Sequence, residues 1–501
     1  MRQRQIAKRK AAADPRAGFD LKAYRWWILA AILVIAAFLR LNQLGSAPAG
    51  LNHDVAMNGN NALENIETRR MALYYPENTG REGLFINVQT ASVAVLGNTA
   101  FALRLPAAIF GLLTVWAVYC LGVEWFSLPI GLTAAFFAAT SFWHLVFSRA
   151  GLRAVSAPCF LVWSLYLLCL GLRRGRAGVT GAAGLLYGLG FHTYIAYRVT
   201  PLLIAVVLWY EFRRSRDWKG MAVFVAGAVI AAAPLAAYFV SHPGSFGQRT
   251  VSLSVFQTAH PAQELFTNVW KTAAMFLFAG DPNFGHNYAS RPELFWPVAI
   301  FFAIGVVVAA WRRSATNVFL LVWMGVGLLP AVLSHDTMPH ALRSILVIPA
   351  VFLLAAIGAG VAASWLAGRT PGYVRVAGPA VLAVVLIAEP YRVYFDLWSV
   401  HPEVTKWSNV ALAGIADQLN AMPVEQPKYV AVNILRAQLL NAVPVQAMTI
   451  MFLTRTYTPP DQKRLNIHYV SPMNFPTLPG RDFCQSVSRH IPPDAALVCV
   501  Q

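Results

Sequence analysis

Residues 344–366 read SILVIPAVFLLAAIGAGVAASWL and contain no charged side chain. A helix of about 20 apolar residues spans the hydrocarbon core of a lipid bilayer. The rest of the chain has the same character, since 57% of its 501 residues are hydrophobic and only 12% are charged. A soluble domain carries roughly 25% charged residues. The composition therefore predicts an all-α polytopic protein that crosses a membrane many times.

Ten more apolar runs are similar to this stretch, which gives about eleven predicted transmembrane helices. The run with the weakest pattern, 199–212, is short and has Pro201 near its start. The eleven runs are centred on residues 26–44, 101–121, 128–147, 154–172, 178–196, 199–212, 220–240, 294–311, 317–334, 344–366 and 374–392.

Short basic clusters between the runs predict the orientation of the helices. Loops rich in Lys and Arg stay in the cytoplasm. We therefore expect a multi-pass protein of the bacterial cytoplasmic (inner) membrane with a cytoplasmic N-terminus. The net charge of +18 then reflects topology, and no nucleic-acid partner is expected. With eleven spans, the clusters that share the cytoplasmic side are the arm 1–25 and residues 173–176, 213–219, 312–313 and 369–375.

This orientation divides the chain into three parts. A cytoplasmic basic arm covers residues 1–25, a transmembrane module covers 26–395, and a periplasmic or extracellular domain covers 396–501. The module carries two long outer loops, 45–100 and 241–293.

The topology has one open alternative and a direct test. A signal peptide that ends at Ala47-Pro48-Ala49 is the alternative interpretation of the first apolar run. If the eleven-span topology is right, cysteines placed at positions 60, 285 and 460 react with a reagent added outside. A cysteine at position 215 reacts only from inside.

The segment 396–501 has the pattern of a small α/β domain. Residues 428–434 and 495–500 have the composition of strands. Outside the cytoplasm, Cys484 and Cys499 can form a disulfide, and two free thiols are the alternative. Within 402–420, apolar residues recur at helical spacing, namely Val404, Trp407, Ala411, Ile415 and Leu419.

The first outer loop carries the best candidate for catalysis. Asn52 is suited to cap a helix that begins near His53. Asp54 would then lie in the first turn, where the helix dipole favours the ionised carboxylate. An ionised and oriented carboxylate can accept a proton from an attacking hydroxyl. The alternative is that Asp54 only begins the helix.

The same helix is predicted to carry a polar stripe. Asp54, Asn58, Asn61 and Asn65 are spaced so that they fall on one helical face, which makes Asn58 a candidate substrate contact. Residues 81–97 predict a second interfacial helix. Arg81 and Glu82 precede it, and their simplest role is a surface ion pair.

Cations and polar aromatic residues lie at the outer ends of several spans. Arg side chains and helix N-termini bind phosphate well. These residues could converge on one anionic headgroup, or they could anchor the protein to lipid headgroups. They are Arg149, Arg153, His192, Tyr194, Arg198, His340 and Arg343.

Two groups of His and Asp side chains raise the question of a metal. Asp281 and His286 share one loop, and His335, Asp336 and His340 share another. Neither group has a recognised metal-ligand spacing, and the chain has no Asp-x-Asp motif. We therefore expect no cofactor, with a divalent metal as the open alternative, and regard Asp281 and His286 as substrate contacts.

Several motifs follow one another in a recognisable order. Together they resemble the GT-C membrane glycosyltransferases of the family 39 type, in particular the protein O-mannosyltransferases and the lipid A aminoarabinose transferases. The resemblance covers roughly residues 25–395. The motifs are His53-Asp54, Gly83-Leu84-Phe85, Phe101–Pro106 with Gly111, FHTYIAYRVTP (191–201), GDPNFGH (280–286) with Pro292, and LLPAVLSHDTMPHALRSILVIP (328–349).

The resemblance implies an inverting hexosyl or pentosyl transferase that uses a polyprenyl-phosphate-sugar donor. The acceptor would be a glycolipid, a glycan or a protein, and Asp54 would be the catalytic carboxylate. Many relatives have Asp-Glu where this chain has Asp54-Val55, so Glu82 is the candidate for the second polar determinant. The residues that would stabilise the leaving phosphate are Arg149, Arg153, Arg198, His340 and Arg343.

Two other functions compete with this one. A transporter or flippase for lipid-linked sugars would need polar residues along a path through the membrane, and the spans have few. An O-antigen-ligase-like enzyme, which joins whole glycans, usually carries its large outer loop late in the chain, whereas the acid-rich loop here comes first.

Overall fold

A computed structural model describes residues 21–433, 445–472 and 483–500. In these ranges eight helices are long and apolar enough to cross a membrane. A ninth span is formed by Leu128–Ala139 and Phe142–Arg149, which are bent by 59° at their junction. The eight helices are Leu21–Leu41, Ala100–Trp125, Arg153–Arg174, Ile195–Ser215, Trp218–Ser241, Ala315–Val332, Ile345–Ala367 and Gly372–Trp398.

Two shorter apolar helices, Ala177–Gly190 and Trp296–Arg312, occupy the remaining predicted runs. Ten of the eleven apolar runs therefore form one helix each, two of them shorter than a typical span, and the run 128–147 forms the bent pair. The weakest prediction, 199–212, is the helix Pro201–Ser215, with Pro201 at a first-turn position where its missing N–H costs nothing. The predicted fold class, an all-α polytopic membrane protein with a small α/β domain, is confirmed.

The helix Ile348–Ala367, from the stretch quoted first, lies at the centre of the bundle and is the most buried of the spans. Its Gly358 and the Gly305 of the helix Trp296–Arg312 lie at their contact. A methyl group on either glycine would collide with the backbone of the other helix. Small residues are what allow two helix backbones to approach this closely inside a membrane.

Both long loops fold into secondary structure, and they meet. The first contains the helices His53–Thr68 and Gly83–Leu96, joined through an antiparallel pair of short strands, Tyr74–Tyr75 and Arg81–Glu82. Both predicted helices of this loop are therefore present, and the second begins at Gly83 because Arg81 and Glu82 belong to a strand. The second contains the helices Pro243–Ser252 and Pro261–Ala274. The Tyr74 hydroxyl donates to the Ser245 carbonyl at 3.0 Å and joins the two loops.

The C-terminal domain is built on a three-stranded parallel sheet. The strand Lys428–Val432 lies in the middle, between Ile467–Val470 and Ala496–Val500. Parallel strands need crossover connections, and helices supply them. The helices of this domain are Pro402–Trp407, Val410–Ala421, Met448–Thr454, Pro459–Leu465 and Phe483–Ser488.

Three predictions for this domain, on a helix, a disulfide and two strands, have definite outcomes. The predicted single helix over 402–420 is interrupted at Asn409, which adopts a left-handed conformation with φ 53°. The disulfide between Cys484 and Cys499 is present. Both predicted strands are confirmed, with slightly shorter bounds. The predicted basic arm lies outside the described residues except for its last five.

The structure corrects the choice of positions for cysteine labelling. Asn60 is fully buried, and Gly285 is buried as well, so neither would react with a bulky reagent from either side. Both are enclosed by protein. Glu67 and Asn283 are exposed on the same loops and replace them.

Candidate active site

Asp54 lies where the sequence predicts, in the first turn of the helix His53–Thr68, here called the Asp54 helix. The side-chain oxygen of Asn52 accepts a hydrogen bond from the Asp54 backbone N–H at 2.9 Å, so Asn52 caps the helix. The Asp54 side chain is 43% exposed, and its Oδ1 accepts a hydrogen bond from the Asn78 amide at 2.7 Å. The carboxylate is therefore both oriented and accessible from outside the protein.

Asn78 belongs to a short turn that sequence reasoning missed. Asn78, Thr79 and Gly80 all have positive φ, at 54°, 60° and 94°. Asn tolerates the left-handed region better than most residues. This backbone conformation directs the Asn78 amide toward Asp54.

The polar stripe exists, and a buried arginine organises it. Arg81 is 1% exposed, and its guanidinium donates to the side-chain oxygens of Asn58 at 2.6 Å and Asn61 at 2.7 Å. It also pairs with Glu77 at 3.2 Å. Burial lowers the pKa of Arg81 to about 10, and the nearby Arg153 acts in the same direction, while Glu77 and Asp54 oppose the shift. Asn58 is thus a partner of Arg81, which the sequence did not reveal.

Glu82 does not pair with Arg81 at the surface. It is 2% exposed and lies between two arginines, with Arg153 Nε at 3.3 Å and Arg198 Nη2 at 3.4 Å. The Nη2 of Arg153 is buried and has no hydrogen-bond partner within the described chain. Two guanidiniums around one carboxylate leave a net positive charge, and the unpartnered N–H groups are a ready donor for an anion.

Tyr194 and His192, the two ring-bearing candidates of this region, contact different partners. The Arg153 guanidinium lies 5.6 Å from the centre of the Tyr194 ring, a cation–π geometry. His192 Nε2 lies 2.9 Å from the carbonyl of Ala231, in a neighbouring helix. The structure therefore gathers Glu82, Arg153, Tyr194 and Arg198, while His192 contacts backbone.

Arg149 has a different environment from the one predicted. It is fully buried, and its guanidinium donates to four backbone carbonyls, those of Leu39, Arg40, Gln43 and Ala47. Arg104, from the preceding span Ala100–Trp125, donates to the carbonyls of Leu44, Pro48 and Gly50. Both arginines hold the turn that leads into the Asp54 helix, because a turn has backbone carbonyls without partners.

A second polar cluster joins residues from two loops. His286 Nδ1 lies 3.0 Å from Asp281 Oδ2, and His340 Nδ1 lies 3.8 Å from the same oxygen. Burial would raise the pKa of Asp281, but His286 and then His340 outweigh it and hold the pKa below its usual value. Burial, together with His286 and Arg343, holds the pKa of His340 well below its usual value.

These three side chains also have the geometry of a candidate metal site. One ligand atom from each of Asp281, His286 and His340 lies within 4.8 Å of the other two. Imidazole and carboxylate suit several divalent metals. The sequence had divided these residues between two unrelated groups; the structure brings three of the five together, and His335 and Asp336 are not among them. Arg343 pairs instead with Asp336 at 2.7 Å.

Comparisons with known proteins agree with this architecture. The profile of the dolichyl-phosphate-mannose-protein mannosyltransferase family matches residues 84–239. The structure of ArnT from Cupriavidus metallidurans bound to undecaprenyl phosphate superposes with a TM-score of 0.55 at 15% identity, over 95% of this chain and 90% of ArnT. No curated protein sequence matches the chain.

An archaeal enzyme gives a similar result. The oligosaccharyltransferase of Archaeoglobus fulgidus in its apo form superposes with a TM-score of 0.54 at 15% identity, over 88% of this chain and 64% of that one. The archaeal oligosaccharyltransferase AglB of Archaeoglobus fulgidus, in complex with an inhibitory peptide and a dolichol-phosphate, superposes with a TM-score of 0.51 at 15% identity, over 91% of this chain and 70% of that one. The chain is thus a multi-pass membrane protein with the GT-C fold of membrane glycosyltransferases. Its fold is of the mannosyltransferase and ArnT type, as the sequence motifs predict.

Proposed function

We propose that this protein is an inverting glycosyltransferase of the bacterial inner membrane. It moves a sugar from a polyprenyl-phosphate-sugar donor to a glycolipid, glycan or protein acceptor on the periplasmic face. The observation that carries the proposal is an accessible, oriented carboxylate, Asp54, together with two partly buried arginines, Arg153 and Arg198, that flank Glu82. Two proteins of similar fold were solved with undecaprenyl phosphate and with a dolichol-phosphate, which supports a lipid-linked donor.

The nearness of the two groups follows from packing. Val55, the neighbour of Asp54, would touch a methyl group on Gly151 at 2.9 Å, and Gly151 lies two residues before Arg153. Asp54 and Arg153 therefore lie on two segments that pack against each other. On this basis we place the donor phosphate at Arg153, since a transfer requires the reacting groups to be neighbours.

The transfer is a single displacement. Asp54 accepts the proton of the acceptor hydroxyl, whose oxygen forms a bond to the anomeric carbon. The bond from that carbon to the phosphate oxygen breaks, and the electron pair leaves with the phosphate. Attack from the face opposite the leaving group inverts the anomeric configuration.

Arg153 and Arg198 are the groups that we assign to the leaving phosphate. Charge builds up on that phosphate in the transition state, and fixed donors at this position stabilise it. Glu82 holds both guanidiniums in place. Arg149 is not carried over to this role, because its Nη1 and Nη2 groups, which form the guanidinium fork, already donate to four backbone carbonyls.

We further propose that the chemistry at Asp54 needs no resident metal. Within the described residues, the group of side chains able to hold a metal is Asp281, His286 and His340, and Asp54 is not a member. A transfer rate that is unchanged by a chelator would support this proposal. A rate that falls with the chelator and returns with Zn²⁺ or Mn²⁺ would contradict it and direct attention to that cluster.

The function is tested by mass spectrometry of envelope glycolipids, glycans and secreted proteins. A deletion strain is compared with the same strain carrying the wild-type, Asp54→Asn or Asp461→Asn gene. Asp461 is a matched control, because it also lies in the first turn of a helix but pairs only with Arg464 and Thr458. We expect a mass of one sugar to vanish on deletion and to return with wild type and Asp461→Asn only. Its return with a well-expressed Asp54→Asn protein would refute the role of Asp54.

A further inference from the structure

The Asp54 helix packs against the C-terminal domain on the side away from its polar stripe. The domain contributes the helix Met448–Thr454, here called the docking helix. Met448 and Phe452 of the docking helix are fully buried in one apolar cluster with Val55 and Ala56 of the Asp54 helix. Burying this much apolar surface fixes the two helices against each other.

Hydrogen bonds hold the first residues of the docking helix at the same interface. The Asn60 amide, fully buried, donates to the Met448 carbonyl at 3.0 Å. The Thr449 hydroxyl donates to the Leu51 carbonyl at 3.0 Å, just before the Asp54 helix begins. Buried amides and hydroxyls are costly to leave without partners, so these contacts define one relative position of the two helices.

Asn52 joins the domain directly to the catalytic turn. Its side-chain oxygen accepts the backbone N–H of Asp54 at 2.9 Å, and its side-chain nitrogen donates to the carbonyl of Trp407 at 3.0 Å. The Trp407 indole also lies against Gly285, so close that a methyl group there would collide with it. One residue of the domain thus contacts both the loop of Asp54 and the loop of Asp281 and His286.

The contact is tight enough to exclude a single methyl group. A Cβ on Gly59 would meet the Phe452 ring at 2.5 Å and the Leu103 side chain at 2.8 Å. Side-chain carbons that are real neighbours lie near 3.5–4.0 Å. A larger residue at position 59 must therefore push the Phe452 and Leu103 side chains aside, and through Phe452 it acts on the docking helix.

We propose that the C-terminal domain is a positioning element of the active site, which sets the location of Asp54 through the docking helix and Asn52. This inference rests on the proposed function. It differs from the role of a separate module that only recruits the acceptor. Because transfer depends steeply on the distance between the reacting groups, a small shift of the Asp54 helix slows the chemical step.

The decisive experiment is a size exchange across the interface in the full-length protein. Gly59→Ala is expected to lower kcat by about tenfold or more, with a smaller change in the KM for the donor. Phe452→Leu removes part of the obstructing ring, so the double variant is expected to recover most of the lost kcat. Gly414→Ala is the control, because a methyl group there meets nothing within 4 Å.

A second variant keeps the proposal testable if Gly59→Ala folds poorly. Asn52→Ser retains a residue that caps helices well but removes the amide that donates to Trp407. We expect kcat to fall several-fold while the melting temperature in detergent stays near that of wild type.

Three outcomes separate the possibilities. If Asp54→Asn is inactive while folded Gly59→Ala and Asn52→Ser transfer at the wild-type rate, the proposed function stands and the positioning role is refuted. If the double variant is folded but its kcat stays as low as that of Gly59→Ala, the claim that Phe452 transmits the effect of position 59 is also refuted. Recovery of kcat per folded molecule in the double variant supports the proposal, because Phe452→Leu then relieves the overlap at position 59 and returns Asp54 to its location.

Discussion

Replacing Arg81 by Met tests whether a buried guanidinium organises the candidate site. The variant keeps the length of the side chain but removes hydrogen bonds of 2.6 Å to Asn58 and 2.7 Å to Asn61. Both asparagines are nearly completely buried, so their oxygens are left without a donor. Each such group costs about 1–3 kcal/mol. Arg81→Met also removes the ion pair with Glu77, but the Glu77 side chain is 23% exposed and can be solvated by water. The loss of this pair therefore adds little to the destabilisation.

The two unpaired oxygens are expected to lower the free energy of unfolding by about 3 kcal/mol. This figure allows for the fact that the variant no longer buries a charge, which offsets part of the cost. We expect the melting temperature of Arg81→Met in detergent to fall by about 3 °C. Transfer should fall as well, because the strand that contains Arg81 follows the turn of Asn78. Arg81→Lys should be intermediate, since an ammonium retains the charge but cannot reproduce the planar fork.

The matched control is Arg464→Met. Arg464 forms a surface pair with Asp461 at 2.6 Å, its side chain is 62% exposed, and exposed pairs contribute little. Its melting temperature should stay within about one degree of wild type. If Arg81→Met melts as late as Arg464→Met and transfers at the wild-type rate, the assigned role of the Arg81 network is wrong.

Three further predictions concern chemistry and topology. Asn78→Gly keeps the left-handed backbone and loses the amide that orients Asp54, so kcat should fall about tenfold with little change in melting temperature. Arg153→Gln should raise the donor KM and lower kcat by about 10²-fold, since it removes a donor to the developing phosphate charge. Cysteines at the exposed positions Glu67 and Pro460 should react with a membrane-impermeant maleimide outside intact cells, whereas one at Ser215 should react only after lysis.

Each of these predictions has a result that contradicts it. Wild-type kcat in Asn78→Gly would mean that the amide contact does not orient Asp54. Unchanged kinetic constants in Arg153→Gln would mean that the donor phosphate does not bind at Arg153 beside Glu82. Labelling of Ser215 from outside would overturn the eleven-span topology.

The local features of the candidate site followed well from the sequence. Asn52, Asp54 and the asparagines behind them satisfy rules for helix starts and helical faces that depend on neighbouring residues alone. The motifs around 83–106, 191–201 and 328–349 predicted the GT-C fold, which the structural comparison supports. The strand segments and the disulfide of the C-terminal domain were also predicted correctly.

The partners of the charged residues did not follow from the sequence. Arg149 had the charge and the position expected of a phosphate ligand, yet it binds the carbonyls of a turn about 100 residues earlier. Arg81 and Glu82 are neighbours in sequence but lie in an antiparallel strand, so their side chains point to opposite faces and find different partners. Asp281 and His340 meet because two loops cross, which no local pattern records.

The sequence by itself determined what depends on composition and short-range periodicity: the membrane location, the eleven apolar helices, the capped helix of Asp54 and the family resemblance. Only the tertiary structure decided which charged side chains form hydrogen bonds with the backbone and which remain available to bind a ligand. The physical reason is that a buried charge must find partners wherever the fold brings them, often far along the chain. For the same reason only the folded chain reveals that the C-terminal domain is packed against the helix that carries Asp54.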